Sequence, residues 1–132
     1  MVKITKKVEY ALMALNYLES STEPVSVKRL SEELQLPFDT VSHVLQSLAK
    51  AQVTQSFQGS QGGHRLIIDL SSLSFKKLSE IIEKKPFSQD CEQQNCKLLH
   101  CCSIKTPINK LYSKVESFFD EVKIADLLGA NL

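Results

Sequence analysis

All four cysteines of this 132-residue chain, Cys91, Cys96, Cys101 and Cys102, fall within one short stretch. Thiolates are ligands for zinc and for iron–sulfur clusters. Four residues separate Cys91 from Cys96 and four more separate Cys96 from Cys101. Paired Cys-x-x-Cys knuckles, the strongest zinc signature, are absent. The wider spacing suits a larger cluster whose iron atoms need separated ligands. Three thiols can hold one such cluster while a fourth ligand comes from elsewhere, and His100 is a candidate by proximity. A disulfide framework would spread cysteines through the chain and need an oxidising compartment. The alternative to ligation is a set of cysteines that are only buried or solvated.

A second group of residues is suited to reading nucleic acid. Thr40, Ser42, His43 and Gln46 lie on the polar face of an amphipathic segment that also carries Asp39, Ser47 and Lys50. Hydroxyls and lysines grip phosphates, and amide and imidazole groups reach base edges. On this reading Gln46 and His43 meet bases, Thr40, Ser42 and Lys28 meet phosphates, and Ser60, Gln61, His64 and Arg65 form a tip that enters the neighbouring groove. A merely solvated helix face would look similar over this segment alone.

The elements that would position these residues follow from periodicity. Ile4, Val8, Leu12, Leu15 and Leu18 recur at helical steps, so a helix is predicted over 2–18. Ser26 caps a second helix through Leu30 and Leu34 that stops near Leu36-Pro37. A third is predicted over 38–51, with Val41, Val44, Leu45, Leu48 and Ala49 turned inward. Two short helices joined by a tight turn form a helix-turn-helix. Strands over 53–57 and 64–68 flank a glycine-bearing turn, so a hairpin follows directly as a wing. Ser74 caps a helix carrying Phe75, Leu78, Ile81 and Ile82. The stretch 87–103 is aperiodic and holds every cysteine. The last helix is expected to start at Thr106-Pro107. Its broad stripe of Leu111, Tyr112, Val115, Phe118, Phe119 and Val122 predicts pairing with a second copy.

The fold class expected is therefore mainly α: a winged helix-turn-helix with a small β-hairpin wing and a long C-terminal dimerisation helix. Residues 1–70 form the DNA-binding region and 71–132 the helix, cysteine loop and dimerisation helix, as one continuous domain. At 42% hydrophobic the chain can bury a core without disulfides. A net charge of +1 excludes a polyanion binder relying on bulk charge. Basic and acidic residues balance at seven each within 1–70, so DNA affinity needs Lys28, Arg29 and Arg65 to cluster. No apolar run could cross a bilayer and no leader is seen, which predicts a cytoplasmic protein with no membrane partner. No nucleophile–base pair or phosphate loop is present, so an enzyme is not expected.

Together these features resemble the IscR and NsrR family of Rrf-type bacterial winged-helix regulators. The likeness runs through Ile4-Thr5-Lys6, Tyr10-Ala11-Leu12-Met13-Ala14-Leu15, Val27-Lys28-Arg29-Leu30-Ser31-Glu32-Glu33-Leu34 and Val44-Leu45-Gln46-Ser47-Leu48-Ala49-Lys50-Ala51. It continues through the wing, Gly59-Ser60-Gln61-Gly62-Gly63-His64-Arg65-Leu66, and the terminal Ile124-Ala125-Asp126-Leu127-Leu128. The resemblance implies a homodimer crossed through its C-terminal helices, bound to a palindromic double-stranded DNA operator. It also implies an iron–sulfur cluster (2Fe–2S or 4Fe–4S) that senses redox, nitric oxide or iron status. Cys91 and Cys96 match the first two cluster ligands, Cys102 the third with Cys101 as alternate. Glu9 matches a carboxylate that some members bring to the cluster from the other subunit. The chain departs from the family pattern at Thr40-Val41-Ser42-His43, where a bulky or basic pair is usual, at Gln58, where Arg is usual, and at Lys123, where Thr is common. The departures imply an altered sequence preference or weakened DNA binding. Two other readings fit the same residues: a zinc- or thiol-based redox regulator, and a cluster-binding relative that has lost specific DNA binding.

Overall fold

The structure is a computed structural model that describes residues 4–87, 97, 98 and 100–130. The first helix, α1, spans Lys6–Glu19. It starts later than periodicity suggested because the Thr5 hydroxyl accepts the Val8 amide and caps it. Ile4 lies ahead of the helix and is 47% exposed, outside the apolar face expected of it. Val8, Ala11, Ala14, Leu15 and Leu18 form the buried side.

The second helix, α2 (Val27–Leu34), is capped by the Ser26 hydroxyl, which accepts the Arg29 amide at 3.1 Å. It ends at Gln35, a left-handed residue (φ 55°). The Gln35 amide donates to Glu32 and the Leu36 amide to Ser31, so the last carbonyls are satisfied as the chain reverses. Pro37 follows, and the third helix, α3, runs Phe38–Lys50. Proline cannot continue α2 but suits the entry to α3. The turn between the helices is thus short and fixed, which sets the angle at which α3 leaves the core.

The strands β1 (Thr54–Phe57) and β2 (Gly63–Leu66) pair antiparallel, Thr54 opposite Leu66 and Phe57 opposite Gly63. A 3-10 turn over Leu70–Ser72 leads to α4 (Phe75–Glu83), capped by Ser74 as expected. Then come α5 (Lys105–Glu121) and a short α6 (Ile124–Leu128). The expected cap at Thr106 is corrected: Ile104 is the cap residue, with no side-chain hydrogen bond, and Thr106 and Pro107 lie inside the first turn. Proline costs nothing there because first-turn amides have no partner within the helix. Val122 is also corrected. It ends α5 with extended backbone, and its carbonyl accepts the Phe75 amide at 2.8 Å.

One buried cluster joins these elements. Leu15 and Leu18 of α1, Leu30 of α2, Leu45 and Leu48 of α3, Leu78 of α4 and Ile124 of α6 are each almost fully buried. Burying a leucine side chain contributes about 1.5–3 kcal/mol. These positions hold α3 by its inner face and leave its outer face free.

Candidate nucleic-acid interface

Four polar side chains stand fully outward on α3, Asp39, His43, Gln46 and Lys50, and Phe38 is also exposed at its start. Their spacing of four, three and four residues places them on one stripe of the helix. His43 and Gln46 were expected here. Asp39 and Lys50, read from the sequence on the same polar face, share the stripe. Thr40 and Ser42 are only half-exposed, on the flanks of the stripe. The Gln46 amide donates to the Ser42 hydroxyl at 3.3 Å, which holds the two together on the helix surface.

The wing lies beside this stripe. A groove between them is lined by His43, Gln46, Ser47, Lys50, Ser56, Gln58 and His64, with Lys84 from the end of α4. Gln58 is the wing position where the chain departs from the family pattern; Ser56 and Lys84 were not anticipated in the sequence. Lys84 could not be, because only tertiary packing brings it to α3. Ser60 and Gln61 are exposed at the wing tip, and Arg65 is exposed on β2. His64 is half-buried, and its Nδ1 is buried without a hydrogen-bond partner among the described residues. Burial pushes its imidazole below the ordinary value of 6.5, so the ring is neutral at neutral pH. Lys28 is exposed on α2.

Among the described residues the ion pairs are Lys6–Glu9 at 2.8 Å and Lys76–Glu116 at 3.1 Å. Lys7, Lys28, Arg29, Lys50, Arg65 and Lys84 make no ion pair with a described residue. Each is exposed and available to a phosphate.

The thiol candidates divide. Cys101 is exposed and Cys102 half-buried, both as free thiols, while Cys91 and Cys96 lie outside the described residues. Among the described residues no three His, Cys, Asp or Glu side chains come together as a metal site. The donors nonetheless suit an iron–sulfur cluster in kind, since thiolates are its ordinary ligands. Glu9 is half-exposed on α1, where Lys6 pairs with it. His100 is exposed.

On α5 the apolar residues fall on two sides. Phe119 turns inward against Phe75 and Phe87, each with ring centroids 5.2 Å away, and Tyr112 is half-buried. Val122 also packs on the core. On the other side Leu111 is 54% and Phe118 58% exposed, with Val115 between them half-exposed. No residue of α5 is fully buried.

A helix-turn-helix whose second helix presents a polar stripe beside a glycine-turned hairpin defines a winged-helix DNA-binding protein. The model of the Rrf2 family, described as an iron-dependent transcriptional regulator, matches residues 4–130, and the chain belongs to that family. It is a family of transcriptional regulators, not of enzymes. The chain is 24% identical to the HTH-type transcriptional regulator IscR of Vibrio campbellii, with 98% of this chain and 79% of that protein covered. It is also 24% identical to the regulator NsrR of Oceanobacillus iheyensis, over 96% of this chain and 90% of that one. The fold is similar to that of CymR, the global cysteine regulator of B. subtilis, with TM-score 0.78 and 19% identity over 98% of both chains. It is similar too to T. potens IscR, with TM-score 0.67 and 21% identity over 99% of this chain and 89% of that one. Among the described residues no helix is long and apolar enough to cross a membrane.

Proposed function

We propose that the protein is a homodimeric regulator that binds a palindromic double-stranded DNA operator and whose affinity is set by an iron–sulfur cluster in the Cys91–Cys102 loop. The observation that carries the DNA reading is the outward stripe of α3 facing the same groove as the wing. Gln46 and His43 read base edges in the major groove, and Asp39 stands on the same stripe. Lys28, Thr40 and Ser42 contact phosphates. Ser60, Gln61 and Arg65 follow the neighbouring minor groove or its backbone, with His64 behind them. Leu111, Val115 and Phe118 pair with their copies in a second chain, and Tyr112, Phe119 and Val122 support that face from within.

Cys91, Cys96 and Cys102 are the proposed thiolate ligands, Cys101 the alternate, and Glu9 of the second copy the fourth. A bound 2Fe–2S or 4Fe–4S cluster supplies chemistry that reacts to redox state, nitric oxide or iron supply. The loop bearing the thiols leads directly into α5, so ordering the loop fixes where α5 begins and how far apart two recognition helices lie. The test is a visible absorption spectrum with iron and sulfide analysis on anaerobically purified protein. A coloured protein that loses colour in Cys91→Ala and Cys96→Ala is expected. Full iron content in all four single cysteine variants would contradict the ligand set.

The exposed Cys101 beside Cys102 favours a second reading, a thiol- or zinc-based regulator. A colourless protein whose DNA affinity falls on oxidation or zinc removal would select it.

A further inference from the structure

Beside α3 lies a second cleft, lined by Lys7 of α1, Asp39, Thr40, His43 and Ser47 of α3, and Lys84. It borders the groove under the wing, and Lys84, His43 and Ser47 line both. Lys84 stands at the end of α4 in the left-handed region (φ 58°), where the backbone alone would favour glycine. Its amide donates to the Glu80 carbonyl at 2.9 Å, which fixes the residue that carries the ammonium. Just before it, Glu83 accepts the hydroxyl of Thr5, the cap of α1. That bond holds the end of α4 against the start of α1, and so brings Lys84 and Lys7 to the same cleft from residues far apart in sequence.

Neither lysine makes an ion pair with a described residue, and Asp39, the carboxylate in the cleft, pairs with neither. Two lysines and two hydroxyl-bearing residues, Thr40 and Ser47, line this one cleft on the flank of the outward stripe. Hydroxyls and lysines so arranged are phosphate ligands. A duplex with its major groove over Gln46 carries a phosphate chain along each flank of α3.

We propose that Lys84 and Lys7, with the Thr40 and Ser47 hydroxyls, take a phosphodiester of the DNA backbone and anchor the duplex on the α4 side of the recognition helix. The anchor rests on the DNA-binding reading above and adds α4 to the surface that contacts DNA. It carries no base information, so it acts equally on all sequences. Asp39 opposes it, because its carboxylate faces the same phosphate.

The test is the salt dependence of binding to a mixed-sequence DNA duplex. Log affinity falls linearly with log salt, with a slope of about 0.9 for each phosphate contact. Lys84→Gln should flatten the wild-type slope, and Lys7→Gln/Lys84→Gln should flatten it further, by about 0.9 in all for the one phosphate contact. Lys84→Arg should restore the slope, Asp39→Asn should tighten binding, and melting followed by circular dichroism should show the variants folded. Unchanged slopes in folded Lys84→Gln and in the double variant, with the wild type binding normally, would overturn the anchor and leave the DNA reading intact. A wild type that binds no duplex would overturn the DNA reading itself. Inorganic phosphate at matched ionic strength should not displace the duplex. Displacement that depends on Lys84 would assign the cleft to free phosphate instead.

Discussion

Val25 and His64 exchange two backbone hydrogen bonds, of 2.9 and 2.8 Å, and so tie the wing to the loop that enters the helix-turn-helix. The approach is close enough to require the glycine before it. Gly63 has φ +147°, and a Cβ there would lie 2.3 Å from the Val25 backbone carbon. Gly63→Ala should therefore destabilise the protein by about 1–3 kcal/mol, read by denaturant unfolding, and weaken duplex binding by displacing the wing. A variant as stable as the wild type would show that the bridge is not held this tightly.

Phe118 and Phe119 are neighbours in sequence with opposite expected effects. Phe118→Glu should leave the monomer folded and shift the sedimentation coefficient from dimer to monomer, because an unpaired carboxylate costs far more to bury in an apolar seam than a neutral polar group does. Phe119→Ala should lower stability by about 1–3 kcal/mol, since it removes the ring packed on Phe75 and Phe87.

His64 gives the fold a dependence on pH. Its folded-state value lies below 6.5 because burial disfavours the charged ring. The unfolded chain takes up its proton first as pH falls, so it binds more protons than the folded chain between 6.5 and the lowered value. Stability is intact above that window and is lost as pH falls through it. The melting temperature should drop on mild acidification, and His64→Gln should drop less over the same range.

Gln46→Ala should change base preference at one position of each half-site by about 1–3 kcal/mol, measured by selection from a random duplex pool. Lys28→Gln should weaken all sequences alike.

The positions of these residues were legible to different degrees. Apolar periodicity placed α1 to α4 because each presents one face to a single core, and Ser26 and Ser74 marked helix starts that the structure keeps. The wing was legible from its glycines. The end of the chain was less so. Lys123 pairs with Ser74 in an isolated bridge, and the Ile124 amide donates to the Leu73 carbonyl at 2.8 Å. These long-range bonds stop α5 at Val122 and start α6, and no local pattern announces them. The side of α5 that each aromatic faces was hidden for the same reason, as was the arrival of Lys84 at α3.

The central claim is that one protein both reads DNA and sets its affinity through the thiol loop. The direct measurement is operator affinity, for a duplex selected by the protein itself, of anaerobically purified wild type against Cys96→Ala under identical salt. A difference of roughly 5- to 150-fold, the usual range of coupling between two sites, accompanied by loss of visible absorbance, is the predicted result. Equal affinity in the two proteins, or no enriched palindrome from either, would contradict it.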